Sequence, residues 1–402
     1  MSRLTPSSPP LFVTIVLDGV GIGHAPDAAR YGDADAHTLA HVCEVARPAL
    51  PHLTRLGLGT LDTLVGVPAV DAPAASTGTL TETSAGKDST TGHWELAGVP
   101  LDAPFPTYPD GFPDDLVAVF LDATGCRGLL GGLPASGTAV IEEHGAAHLH
   151  TGEPIVYTSA DSVFQIAAHT DVILLDRLYA LCRIARDEVC VGPHAVGRVI
   201  ARPFVGEPGG FTRISEKRKD FALRPPVPTL QERLQQGGVC TVAVGKIGDL
   251  FAGVGFDQST KTRDNAEGIA ATLAAMREAA AGTAPTFIWT NLVDFDQEYG
   301  HRNDPEGFAR ALEAFDAAVP ALEAALPPGG RLVLTADHGN DPTTPGTDHT
   351  RERVPLLVLG GSPRALGVRS TFADHAATAA AYFGVPWSGP GASWGAVGTD
   401  PA

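Results

Sequence analysis

Short, almost uninterrupted apolar runs punctuate the chain at Leu11–Leu17, Cys240–Gly245, Thr286–Val293, Arg331–Thr335 and Val354–Leu359, each giving way to a polar loop. Apolar runs without polar alternation fit strands buried on both faces, as in a parallel sheet covered by helices. Helical spacing appears between them. From Phe308, the residues Leu312, Phe315, Val319, Leu322 and Leu326 recur at intervals of three and four and mark one face of a helix. Asp304 and Pro305 suit its N-cap and first turn. Asp264 and Glu267 have the spacing of a capping box for a second helix carrying Ile269, Leu273 and Met276. Strands alternating with helices predict an α/β fold with a doubly wound sheet.

The middle of the chain breaks this rhythm. It opens on the Pro- and Gly-rich stretch APFPTYPDGFP and continues through mixed segments such as Glu153–Tyr157 and Ala195–Ala201. It closes on the charged run SEKRKDFALRPPVP. The pattern predicts an α+β domain over 104–224 inserted into a core made of 1–103 and 225–402. No internal repeat is visible.

Composition narrows the function classes. No apolar run reaches the ~18 residues that a membrane span needs. The first ten residues, MSRLTPSSPP, read as a disordered lead, and Leu11–Leu17 is too short for a secretory signal. Five cysteines, odd in number and without CxxC spacing, suggest reduced thiols and a cytoplasmic protein. The formal net charge of −18 disfavours nucleic acid as a partner. It also repels phosphorylated metabolites, so a site for one must supply its own positive charge.

Acids and histidines gather where strands end. Asp18 closes the first strand, and Asp294 and Asp296 follow the Thr286–Val293 run, with His301 five residues beyond Asp296. Asp337 and His338 close the Arg331–Thr335 strand, and His349 lies in GTDHTRE. Ligands of open α/β sheets bind outside the carboxyl ends of the strands. Asp18, Asp296, His301, Asp337, His338 and His349 can therefore converge. Mixed carboxylate and imidazole ligation suits Mn²⁺, with Mg²⁺ or Zn²⁺ as alternatives, and paired ions can clamp both oxygens of an in-line phosphoryl displacement. A lone Asp after a strand is usually a turn former or cap, and a lone His is usually structural. Two Asp-His pairs eleven residues apart, in ADHGNDP and TDHTRE, are harder to explain as packing.

The segment SAGKDSTTGHWELAG is rich in hydroxyls. Taken alone it is an ordinary Ser/Thr turn opening a helix, since a neutral hydroxyl is a poor nucleophile until a base or metal activates it. Its context changes that reading. VLDGVGIGHAPDA, GKDSTTGHWELAG, YTSADSVFQIAAH, GRVIARPFVGEPGGFTR, NLVDFDQEYGHRNDPEGF and TADHGNDPTTPGTDHTRE resemble phosphopentomutase motifs, in that family's order and over nearly the whole chain.

The resemblance implies an alkaline-phosphatase-like core with an inserted cap. It also implies interconversion of ribose 1-phosphate and ribose 5-phosphate, and of the deoxyribose equivalents, with two Mn²⁺ ions and a sugar bisphosphate activator. By motif, one ion matches Asp296, His301 and His349, and the other matches Asp18, Asp337 and His338. The family's phosphorylated Thr corresponds to Ser89, a departure that keeps the hydroxyl. Ser159, Asp161, Arg198, Ile200, Arg202, Arg213 and Lys246 match substrate positions. The nearest rivals are a metal-dependent phosphomonoesterase or a phosphoglycerate-mutase relative. A third is a metal-binding module without catalysis, against which the intact ligand set and Ser89 argue. The sequence leaves the oligomeric state open.

Overall fold

A computed structural model describes residues 9–159 and 161–395; the lead expected at the N-terminus lies outside them up to residue 8. The chain divides into two compact units. One comprises Met1–Pro104 with Pro225–Ala402, and the other comprises Phe105–Arg224. Along the chain the strands are β1 (Leu11–Leu17), β2 (Ser76–Leu80), β3 (Leu130–Pro134), β4 (Ile155–Thr158), β5 (Val163–His169), β6 (Arg198–Val205) and β7 (Thr212–Arg213). They continue as β8 (Lys219–Ala222), β9 (Cys240–Val244), β10 (Gln258–Thr260), β11 (Thr286–Leu292), β12 (Arg331–Thr335), β13 (Val354–Leu359) and β14 (Ala365–Arg369).

The first unit is built on an eight-stranded sheet in the order β10-β9-β11-β1-β12-β13-β2-β14. All seven residues of β1 and of β11 are buried, as continuous apolar runs require. Helices cover both faces. On one, Thr272 of helix Asn265–Ala281 meets Thr290 of β11 at 2.7 Å. On the other, His375 of helix Asp374–Phe383 meets Thr14 of β1 at 2.8 Å. The doubly wound α/β core expected from the sequence is therefore present.

Two expectations need correction. Val354–Leu359 is not a parallel strand, because β13 pairs antiparallel with both β12 and β2. An apolar run carries no mark of direction. The reversal matters for the site. The chain leaves β12, makes one loop and turns straight back, so residues 337–353 stay at a single edge of the sheet. The capping box at Asp264 is also only half formed. Asp264 accepts the N–H of Glu267 at 2.8 Å, but Glu267 accepts the N–H of Arg263 instead of returning to Asp264. Helix Pro305–Ala325 starts as expected, with Asp304 accepting the N–H of Gly307 at 2.8 Å and Pro305 in the first turn.

The second unit is a six-stranded sheet in the order β3-β4-β5-β6-β7, with β8 also on β6. On one face Val156, Phe164, Ile166, Val199 and Ala201 pack with Leu178 and Leu181 of helix Leu175–Ile184. On the other, Ile155, Tyr157, Ala167 and Phe204 pack with Val140 and Ile141 of helix Gly137–Thr151. No helix among the described residues is long and apolar enough to cross a membrane.

Candidate active site

In the first unit, strand ends place the reactive side chains. β9, β11, β1 and β12 are mutually parallel. Their carboxyl ends therefore share one edge, which presents Lys246, Asp296, Asp18 and Asp337. β2 runs the same way, since it is antiparallel to β13, and its exit leads to Ser89. Asp18 and Asp337 are fully buried, and Asp296 and His338 nearly so.

Ser89 is the first residue of helix Ser89–Leu96. Asp88 caps it by accepting the N–H groups of Thr90 at 3.0 Å and Thr91 at 3.1 Å. Of the consecutive hydroxyls, that of Thr91 is held by the Asp88 carboxylate, whereas Ser89 Oγ meets the acid–imidazole cluster. It lies 3.0 Å from His338 Nε2 and 3.5 Å from Asp18 Oδ1, and it accepts from Lys246 Nζ at 2.9 Å. The helix sits tight against its neighbour. A Cβ at Gly92 would stand 2.0 Å from the Asp337 carbonyl oxygen, so only glycine permits this approach.

The acids and imidazoles form two groups. Asp18, Asp337 and His338 offer ligand atoms all within 4.8 Å of one another, as do Asp296, His338 and His349. The sequence had paired Asp296 and His349 with His301. His301 stands beside this group, its Nε2 3.3 Å from Asp296 Oδ2 and 3.2 Å from His349 Nε2. The donor chemistry fits divalent cations. Asp18 Oδ2 and Asp337 Oδ2 are buried and held only by close ion-pair contacts, with Lys246 for the first and with His93 and His338 for the second, and buried carboxylate oxygens beside imidazole nitrogens are a common ligand set for such ions.

Electrostatics point the same way. Burial alone would raise the Asp296 carboxyl, but His349, His301 and His338 hold it well below the usual carboxylate range. Burial likewise works against ionised Asp337, yet His338, His93 and Lys246 depress it. Burial works to lower His338, but Asp337, Asp18 and Asp296 push it up to about 10. The carboxylates thus stay charged inside the protein, which requires compensating positive charge.

Several supporting residues carried no role in the sequence reading. His93 Nδ1 lies 3.0 Å from Asp337 Oδ2 and 2.8 Å from the Ser89 carbonyl, tying the helix to the strand end. Asn340 donates to Asp296 Oδ1 at 2.7 Å. Arg351 donates to the Gly86 carbonyl and to Glu82, which anchors the Ser89 loop to the chain just past His349. Each sits inside a quoted motif, but Asp337, Asp296, Gly86 and Glu82 lie more than 40 residues from the residues they meet, and motif text does not give partners. Lys246, matched to a substrate position by resemblance, pairs closely with Asp18 and touches Ser89.

The remaining matched positions lie in the second unit. Arg198, Ile200 and Arg202 alternate along β6 and so share one face. Ile200 is buried, and Arg198 lies 3.6 Å from Asp161 and 3.7 Å from Asp220. Arg213 is in β7, paired with Phe204. Ser159 is partly buried after β4.

A family model for the Metalloenzyme superfamily matches residues 11–387. The phosphopentomutase of Caldanaerobacter subterraneus subsp. tengcongensis is 52% identical over 376 residues, covering 93% of this chain and 94% of that one. The phosphopentomutase of Deinococcus radiodurans is 53% identical over 386 residues, covering 94% and 97%. Among solved structures, phosphoglycerate mutase of Leishmania mexicana aligns over 96% of this chain and 98% of that one at 13% identity and a TM-score of 0.47. With identity above half over nearly its full length, this chain belongs to the phosphopentomutase family of the Metalloenzyme superfamily.

Proposed function

We propose that the protein interconverts ribose 1-phosphate and ribose 5-phosphate, and the 2-deoxyribose equivalents, through a phosphoryl group carried on Ser89. The observation that carries this reading is the setting of Ser89 Oγ, 2.9 Å from Lys246 Nζ and 3.0 Å from His338 Nε2, in a chain of this family. Asp18, Asp337 and His338 would hold one divalent ion, and Asp296, His349 and His301 a second, with Mn²⁺ the ion we favour. When bound, such ions neutralise phosphate oxygens and align the in-line transfer.

The chain's own groups do the rest. The Lys246 ammonium donates to Ser89 Oγ and offsets charge that develops there. Asp88 fixes the first turn of the helix, so its positive end faces the phosphorylated oxygen. Phosphorylated Ser89 donates to the free hydroxyl of a pentose monophosphate and gives a bisphosphate, which then returns its other phosphate to Ser89. A sugar bisphosphate would prime unphosphorylated enzyme by the same route. Ser159, Asp161, Arg198, Ile200, Arg202 and Arg213 are read as meeting the sugar and its non-reacting phosphate. Arg suits that task because its planar fork binds phosphate oxygens in pairs.

The test is a mutase assay on ribose 1-phosphate with Mn²⁺, with free phosphate measured in parallel. Ribose 5-phosphate should accumulate much faster than phosphate. Phosphate as the main product would replace the mutase with a phosphomonoesterase.

A further inference from the structure

Ser89 and His349 come from distant parts of the chain, and a lysine that the proposed chemistry does not use ties their two segments together. Lys87 stands just before Asp88 and Ser89. Its Nζ donates to Asp33 Oδ2 at 3.1 Å and lies 3.2 Å from Asp348 Oδ2. Each of these carboxylates has a second task. Asp348 Oδ1 accepts the backbone N–H of His349 at 2.9 Å, and Asp33 Oδ2 accepts the backbone N–H of Arg351 at 2.9 Å. One ammonium therefore grips, through two acids, the main chain on both sides of Thr350.

The rest of the segment is fixed from other directions. The Arg351 guanidinium donates to the carbonyl of Gly86, the residue before Lys87. Thr350 exchanges backbone hydrogen bonds with Gly339, at 2.7 and 3.1 Å, which holds the segment beside His338. Inside this frame His349 Nε2 lies 3.2 Å from Asp296 Oδ1. The link that ends directly on the His349 amide is the one through Asp348 to Lys87.

Lys87 differs from a cation on an open surface. Its side chain is 19% exposed and that of Asp33 11%, so their pair is shielded from water and acts more strongly than a solvated one. The Asp348 carboxylate is exposed, and its part rests on its bond to the His349 amide. An ammonium has three donors. Lys87 commits its charge to two acids of the protein, which suits a role in holding the site rather than in binding substrate phosphate.

We propose that Lys87 is a positioning residue that sets the His349 imidazole for the second divalent ion. The proposal rests on the two-metal reading above, in which Asp296, His349 and His301 hold that ion. Loss of the ammonium would free Asp348 and loosen His349, while leaving Asp18, Asp337 and His338 as they are.

The test is titration of the metal-depleted full chain with Mn²⁺, following the free ion by electron paramagnetic resonance, with mutase kinetics on the same samples. Wild type should bind two ions. Lys87→Met keeps the stem and removes the charge. It should weaken one ion by about 10- to 100-fold, the range for loss of a group that orients a ligand, and leave the other unchanged. Turnover should recover at saturating Mn²⁺, with KM for ribose 5-phosphate within about twofold of wild type, since a positioning group makes no contact with substrate. Asp348→Asn should weaken the same ion, and the double variant should be no worse than Lys87→Met, because the two residues act in series. Lys87→Arg should restore binding. Two ions held by Lys87→Met as tightly as by wild type overturn the proposal, and a raised KM beside them makes Lys87 a substrate contact instead. Equal weakening of both ions with a lowered Tm also overturns it, as general loosening of the fold. Fewer than two ions in wild type would overturn the two-metal reading and this proposal together, so the two failures are distinct.

Discussion

Ser89→Ala is expected to abolish pentose phosphate isomerisation, by at least about 10⁴-fold, the scale on which loss of a covalent nucleophile acts when the rest of a site stays intact. It should also remove the phosphate label from the protein. The expectation rests on position. Ser89 Oγ is the hydroxyl of its segment that meets Asp18, His338 and Lys246, while Thr91 is tied to Asp88. The substitution deletes one oxygen at the start of a helix whose cap belongs to Asp88, so folding and metal content should be unchanged. Ser89→Thr, which restores the hydroxyl the family carries, should keep both label and turnover. The check is peptide mapping of the phosphoenzyme together with the rate. Label on Thr90 or Thr91 would move the nucleophile.

Chelation should have an effect of similar size, with activity lost and regained best in Mn²⁺. Asp337→Ala probes the same dependence from within the chain. Its carboxylate lies 3.0 Å from His93 Nδ1 and 3.3 Å from His338 Nε2, and it accepts the Gly19 N–H at 3.2 Å. Deleting it leaves positive groups unpaired in a fully buried place, which costs about 3–5 kcal/mol in stability. It should also release at least one ion per chain, measured by elemental analysis. Asp337→Asn keeps the volume but not the charge, so stability, metal content and activity should all stay low. Full turnover in metal-free protein would exclude the two-metal reading.

The parts of this account that were legible in the sequence are those where one residue type decides the outcome. β1, β12 and β13 have the bounds of their apolar runs because burial on both faces leaves no polar position. β2 was missed. Its sequence, STGTL, has no apolar run, yet all five residues are buried and it leads into the Ser89 loop. Small residues pack there between neighbouring strands, and Gly78 would clash with the Gly367 carbonyl if it carried a Cβ. The direction of β13 was equally hidden.

Candidate ligands were visible because acids and histidines at strand ends have few structural reasons to cluster. Residues that hold them were not. His93 looks like one more helical residue until the fold brings it to Asp337, and Asn340 looks like part of a turn until it reaches Asp296. The contacts of Lys246 with Ser89 and Asp18 were likewise hidden, because its motif names no partner within the protein.

On the proposed route the phosphoryl group passes through the enzyme and therefore moves between sugar molecules. This route is tested most directly by crossover. Phosphate-labelled ribose 5-phosphate is mixed with sugar-labelled ribose 5-phosphate, turned over by intact metal-loaded protein, and the products are resolved by mass. Molecules carrying both labels should form at the rate of isomerisation. Products in which each label stays on its original molecule would contradict the route.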